Sequence, residues 1–204
     1  MDVIIIDCGL GNINSISKCV ENIGFKQKVI TNPNDLVPAK KIIFPGVGSF
    51  SKAMENILVN SWYNILKEKI SKEKVPFLGI CLGMQLLAEV GYEFEKTKGL
   101  QLINGEIKKI DQTKCSLSIP HIGWNNLEIK IQNKLFFNVK NNTDFYFDHS
   151  YTLSDGKNDE IIGITNHEID LVGAINKDNI YGVQFHPEKS SDGGKQILKN
   201  FLEI

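Results

Sequence analysis

Nine residues, Phe77-Leu-Gly-Ile-Cys-Leu-Gly-Met-Gln85, constrain the fold more than any other stretch. An apolar run begins after Pro76, breaks at Gly79-Ile-Cys81-Leu-Gly83, and passes into Met84-Gln-Leu-Leu-Ala-Glu89, a run of good helix formers. Buried strand, sharp glycine turn and helix, in that order, make up the unit of a parallel sheet covered by helices. The same stretch is a G-x-C-x-G form of the nucleophile elbow, with cysteine where hydrolases of that fold carry serine. Only glycine fits beside a side chain held on so sharp a turn. The helix expected after the turn directs its N-terminus at Cys81, which favours the reactive thiolate over the thiol. Taken alone, the pattern suits a buried core cysteine beside two loop glycines just as well.

The rest of the N-terminal half repeats the unit. Met1-Asp-Val-Ile-Ile-Ile-Asp7 reads as a strand, with a continuous apolar run from Val3 as in a strand buried on both faces, and Gly9-Leu-Gly11-Asn12 as a turn. Ile13, Ile16, Val20 and Ile23 fall at helical spacing before Gly24. Strands are expected at 28–31, 41–44 and 76–81. The third ends at Pro45-Gly46-Val47-Gly48, after which Ser49 is a candidate cap for one helix bearing Met54, Ile57, Leu58, Trp62, Ile65 and Leu66. Beyond about residue 100 the pattern changes to strands with hairpin-like turns, at 105–110, 124–131, 145–148, 161–165, 171–176 and 179–185, with a closing helix at 193–202. The expectation is one α/β domain over 1–204: a central, mostly parallel sheet with helices on both faces, and antiparallel additions in the C-terminal half.

Composition narrows the function classes. A net charge of −1 gives no reason to expect a nucleic acid or membrane surface as partner. No apolar run approaches the length of a membrane span. Cys8, Cys19, Cys81 and Cys115 are too scattered for a disulfide framework or a metal site, which fits a reducing, cytoplasmic setting with no metal and no cofactor. Every basic residue is Lys, so any anion contact is a point-charge contact rather than a bidentate fork.

A cysteine nucleophile needs a base. His186 stands where the strand at 179–185 ends, the position at which open α/β sheets bind ligands. Glu188 follows two residues on, and in extended chain residues i and i+2 share a face. Cys81, His186 and Glu188 therefore make a candidate nucleophile, base and orienting group. Oxyanion donors are available from the N–H of Leu82, directly after the nucleophile, and from the Pro45-Gly46-Val47-Gly48 turn. His121 and His149 are not needed as bases, and His167 reads as a surface residue.

With these motifs in order, the chain resembles the class I (triad) glutamine amidotransferases, through Pro45-Gly-Val-Gly48, Gly79-Ile-Cys-Leu-Gly-Met-Gln85 and Gly182-Val-Gln-Phe-His-Pro-Glu188. The family's fold is the flavodoxin-like single domain expected above. Within the family, Asp7-Cys-Gly-Leu-Gly-Asn12, Pro120-His-Ile-Gly-Trp-Asn125, Tyr146-Phe-Asp-His-Ser-Tyr151 and His186-Pro-Glu-Lys-Ser190 are similar to the branch of imidazole glycerol phosphate synthase glutaminase subunits. The resemblance implies that Cys81 attacks the side-chain amide of glutamine, His186 moves the proton, and Glu188 orients His186. It implies an oxyanion hole from the peptide at Val47 and Gly48 together with Leu82. Gly46, Gln85, Ser150 and Tyr151 match positions that hold the glutamine. Asn12, Trp124 and Lys189 match positions near the interface with a cyclase or synthase subunit, which forms a heterodimer with the glutaminase and receives its ammonia.

Some positions depart from that branch. Ser118 stands where a basic residue is common, Asp148 where a hydrophobic one is usual, Cys8 replaces a tyrosine, and Gln101 a glycine. None belongs to the triad. They leave open a related glutaminase subunit serving bacterial surface-sugar synthesis. A catalytically silent scaffold and a stand-alone cysteine hydrolase of the γ-glutamyl hydrolase type are the remaining alternatives, and the intact triad argues against the scaffold.

Overall fold

The computed structural model describes residues 3–204, so Met1 and Asp2, at the start of the expected first strand, lie outside the described residues. The N-terminal half alternates as expected: β1 (Val3–Ile6), α1 (Ile13–Asn22), β2 (Gln27–Ile30), β3 (Ile42–Gly46), α2 (Phe50–Val59), α3 (Trp62–Lys67), β4 (Phe77–Cys81) and α4 (Leu82–Gln85). Then come β5 (Val90–Gly91), β6 (Thr97–Lys98), β7 (Glu106–Lys109), β8 (His121–Ile129), β9 (Thr143–His149), β10 (Tyr151–Ser154), β11 (Ile161–Asn166), β12 (Asp170–Lys177), β13 (Ile180–Val183) and α5 (Ser191–Glu203).

One sheet runs β2-β1-β3-β4-β13-β12-β11-β8-β9. Its pairings are parallel from β2 to β13 and antiparallel from β13 to β9. A second, four-stranded sheet, β10-β7-β5-β6, lies beside it. Along β1, Val3 and Ile5 join the core under α1 and α5, while Ile4 and Ile6 join the core under α2 and α3. Alternation across a strand buried on both faces produces this division.

Two helices differ from expectation. The helix expected between Ser49 and Leu66 is broken at Ser61, which is left-handed at φ +61°, and α2 and α3 pack as separate pieces. Leu58, within α2 but off the face formed by Phe50, Ala53, Met54 and Ile57, points to solvent. Ser49 occupies the cap position of α2 but makes no side-chain cap bond. The Phe50 amide is held at 2.6 Å by the Glu93 carboxylate instead. The elbow helix is a single turn. The carbonyls of Leu86, Leu87, Ala88 and Glu89 accept from the amides of Leu100, Leu102, Gln101 and Gly99, so the backbone there bonds across to another segment rather than along a helix. One turn carries little macrodipole, and the expected help to Cys81 from a long helix is correspondingly reduced.

The order β3-β4-β13 fixes the site. These parallel neighbours end on one edge, with Gly46 opposite Cys81 and Val183 opposite Ile80. The Gly46–Gly48 turn, Cys81 and His186 converge there although far apart in sequence, at the carboxyl ends of the strands.

Candidate active site

Cys81 takes φ +53° and ψ −111°, a conformation that non-glycine residues adopt only where the surroundings impose it. The surroundings are the two glycines. A Cβ on Gly79 would come within 2.6 Å of the Gly83 carbonyl oxygen, and one on Gly83 within 1.9 Å of the Phe44 carbonyl oxygen. The strand, the turn and β3 are thus pressed together, and Cys81 is left at the lip of the strand.

His186 and Glu188 flank the start of a short helical turn at 187–189. His186 Nδ1 lies 2.9 Å from Glu188 Oε1, and both side chains are buried, 5% and 2% exposed. Burial alone lowers the His186 pKa. Hydrogen bonding to Cys81 and Glu188, and their negative charges, outweigh burial and raise it to about 10. The imidazolium is therefore the favoured form between the two acidic partners. Cys81 Sγ also lies 3.8 Å from the Asp148 carbonyl oxygen and 3.6 Å from Gln184 Nε2.

A pocket of about 250 Å³ opens over Cys81. Its wall includes Val47, Gly48, Leu82, Gln85, Ser150, Tyr151 and His186, so most of the residues singled out from the sequence meet here. Gly46 is not on that wall. It sits behind it, where an added Cβ would meet Leu82 Cβ at 3.1 Å. Glu188 also lies behind, lining with Asn12, Gly46, Val47 and His186 a cavity of about 10 Å³, too small for a ligand. The Val47 N–H donates to the Leu10 carbonyl at 2.5 Å, and so is occupied away from Cys81.

Glu93 and Asp148, neither of them assigned to the site from the sequence, also line the pocket, Asp148 with its backbone carbonyl 3.8 Å from Cys81 Sγ. Within Tyr92-Glu-Phe-Glu95 nothing distinguishes Glu93 from a solvated charge. His149 also lines the pocket, but both of its nitrogens are engaged: Nδ1 with the Tyr151 carbonyl at 2.9 Å and Nε2 with His121 Nδ1 at 3.0 Å. Burial lowers its pKa to about 4. It is a neutral structural imidazole, with no free nitrogen to act as base. His167 is half-buried rather than free on the surface, its ring centroid 4.4 Å from that of His121 at a tilt of 40°, and it is bonded to the Ser118 carbonyl.

The other cysteines sit elsewhere. Burial, reinforced by the Asp7 charge, pushes Cys8 up to about 12, and burial also raises Cys19. Cys115 Sγ is bonded to the His167 carbonyl. Among the described residues no group of His, Cys, Asp or Glu is arranged to hold a metal ion.

β8 and β9, together with the turn at Pro187–Lys189, expose an aromatic and basic cluster. Trp124 is 54% exposed and meets Tyr146 edge-on at 6.2 Å, and Lys189 Nζ lies 5.2 Å over the Tyr146 ring. Ile122, two residues before Trp124 on β8, is exposed as well, and so is Val47 on the turn after β3. Asn12 is exposed at the start of α1. Tyr146 joins two of the residues expected at an interface but was not itself singled out; its position in Tyr146-Phe-Asp-His-Ser-Tyr151 was the only available signal.

A mixed sheet with helices on both faces of its parallel part, a strained cysteine elbow and a histidine–glutamate pair at the adjoining strand end is the arrangement expected of a cysteine-dependent acyl-transfer enzyme. The family described as "Glutamine amidotransferase class-I" matches residues 4–204, and the chain belongs to that family. The chain is 44% identical over 204 residues to "Imidazole glycerol phosphate synthase subunit HisH" of Methanocaldococcus jannaschii, covering 98% of each chain. It is 42% identical over 202 residues to "Imidazole glycerol phosphate synthase subunit HisH 1" of Campylobacter jejuni, covering 99% of this chain and all of that one. A solved structure described as a glutamine amidotransferase superposes with a TM-score of 0.77 at 14% identity, covering 98% of this chain and 97% of the other; that likeness concerns the fold alone.

Proposed function

We propose that this chain is the glutaminase subunit of an imidazole glycerol phosphate synthase. Full-length identity of 42–44% to subunits of that name supports the assignment. The observation that carries the chemistry is His186, held between Cys81 and Glu188 at the base of the pocket. The Cys81 thiolate attacks the side-chain carbonyl carbon of glutamine. Its oxygen takes up the negative charge and is met by the Leu82 N–H and, once turned inward, by the Val47 N–H beside Gly48. His186 gives its proton to the departing nitrogen, and ammonia leaves a glutamyl thioester. His186 then takes a proton from water as the water attacks, the C–S bond breaks, and glutamate leaves with the thiolate restored.

Gln85, Ser150 and Tyr151 line the pocket where they can hold the amino-acid end of the substrate, and the Glu93 carboxylate offers a counter-charge to its ammonium. Gly46 contributes by letting the Gly46–Val47 peptide turn rather than by touching substrate. The partner in this reading is a cyclase subunit that docks over Asn12, Trp124, Tyr146 and Lys189 and receives ammonia directly. Among the described residues no helix is long and apolar enough to cross a membrane, and the reading places the enzyme in the cytoplasm.

The test is glutamate release by the chain alone, with an imidazole glycerol phosphate synthase cyclase subunit, and with a synthase of the surface-sugar type, each with and without acceptor. Strong stimulation by the cyclase and its nucleotide is the expected result. Stimulation only by the sugar-type synthase would move the chain to that branch, and full activity without any partner would make it a stand-alone hydrolase.

A further inference from the structure

Gln184 is fully buried directly after β13 and is not among the residues of the pocket wall. Its carboxamide is neither solvated nor part of a sheet ladder, so its two ends need partners inside the protein. The partners also fix which way it points. Gln85 Nε2 lies 3.0 Å from the Tyr151 carbonyl oxygen. A carbonyl only accepts, so the amide nitrogen of Gln85 must face Tyr151. That same nitrogen lies 2.9 Å from Gln184 Oε1, which therefore accepts. The Gln184 nitrogen is left to face Cys81 Sγ at 3.6 Å. The orientation of a buried amide is thus set by one backbone carbonyl two side chains away.

We propose that Gln184 is a thiolate-stabilising residue, its Nε2–H donating to Cys81 Sγ, and that Gln85 and the Tyr151 carbonyl lock it in that role. The proposal rests on Cys81 being the nucleophile. The sulfur has reason to need a donor. It is only slightly exposed, and its other near neighbour, the Asp148 carbonyl oxygen at 3.8 Å, accepts from a thiol and repels a thiolate. His186 is the second donor, but its proton is handed to ammonia in each cycle. The Gln184 N–H does not titrate and stays in place through both half-reactions. The chain Tyr151–Gln85–Gln184–Cys81 also joins two residues on the substrate pocket to the sulfur, so the Gln85 amide holds the thiolate donor with its nitrogen while its oxygen remains for substrate.

The experiment uses the chain alone and needs neither glutamine nor a partner. The rate of Cys81 alkylation by iodoacetamide is followed against pH by peptide mass spectrometry for the wild type, Gln184→Met and Gln184→Glu. Gln184→Met removes the donor. The midpoint of its alkylation curve is expected to rise by about one pH unit, the low end of what a hydrogen bond to a charged group contributes, because the contact is long. Gln184→Glu keeps the acceptor for Gln85 and turns an oxygen towards the sulfur, so its midpoint rises further. A purely structural role would lower the melting temperature of both and leave the midpoint unmoved. In the wild type, the isotope-labelled side-chain amide of Gln184 should shift with pH at the alkylation midpoint, a readout that holds even where a variant fails to fold. A folded variant with the wild-type midpoint, or a Gln184 amide signal flat through that midpoint, overturns the proposal. Failure of Cys81 to react at all would overturn the nucleophile assignment itself, and is distinguishable because it appears in the wild type.

Discussion

Deleting one N–H tests how the site is switched. The Val47 N–H is bound to the Leu10 carbonyl at 2.5 Å, and the residue is 45% exposed on the turn at the pocket mouth. On the proposed reading, the oxyanion in this arrangement is met by the Leu82 N–H alone and lacks the second donor. Val47→Pro removes that N–H permanently. In the resting chain it breaks only the bond to Leu10, worth about 1 kcal/mol, so stability falls slightly, by roughly 2–4 °C in melting temperature for a chain of this size. Basal glutamate release should stay near the wild-type rate, because the donor is not in use. In the complex with partner and acceptor nucleotide, the variant lacks a donor that the wild type has turned inward. One missing oxyanion donor costs about a hundredfold to a thousandfold, so stimulation should fall by that factor. Val47→Ala keeps the N–H and should be stimulated normally. The assay is glutamate release at saturating glutamine, alone and in the loaded complex. An equal loss in both states would mean that the Val47 N–H already serves the resting site, and intact stimulation of Val47→Pro would mean that it never serves it.

Cys81→Ala should abolish glutamine-dependent turnover while the assembled complex still uses added ammonia, and a diazo-ketone analogue of glutamine should label Cys81 and leave Cys8, Cys19 and Cys115 unmodified. His186→Ala should lose at least about ten-thousandfold in thioester formation, and Glu188→Gln one to two orders of magnitude less, as roughly follows when base and orienting group are removed separately. Glu188 is among the groups that raise the His186 pKa, so Glu188→Gln should lose the imidazolium at lower pH, moving the alkaline limb of kcat/KM down by about one to two units. Gly83→Ala would press a methyl to within 1.9 Å of the Phe44 carbonyl oxygen, and should cost about 3 kcal/mol or more, read as a drop of roughly 6 °C or more in melting temperature. Trp124→Ala should leave Cys81 alkylation unchanged and weaken partner binding by about thirtyfold, as expected for one aromatic anchor.

The sequence by itself determined what depends on short spans of chain. Apolar runs broken by glycines are enough to produce β1, β3 and β4 as buried parallel strands, because a strand covered on both faces has no polar side. Gly79 and Gly83 around Cys81 announce a turn that no other residue could make, and the clashes a Cβ would meet there are the physical form of that signal. The two-residue spacing of His186 and Glu188 is likewise local, and it ends in a 2.9 Å contact. Only the tertiary structure decided what depends on segments distant in sequence. The elbow helix stops after one turn because residues 99–103 take its neighbouring carbonyls, and no feature of Met84–Glu89 foretells that. Val47 faces Leu10, Glu93 enters the pocket while holding the Phe50 amide, and both nitrogens of His149 are consumed, each through hydrogen bonds between strands or turns separated in the chain or across a fold corner. Gln184 lies inside a motif legible in the sequence, yet the direction of its amide is set by a backbone carbonyl at Tyr151, reached only through Gln85. Hydrophobic periodicity records which face of a segment is buried. It carries no record of which donor meets which acceptor once the segments are packed together, and the working state of this site is set by those pairings.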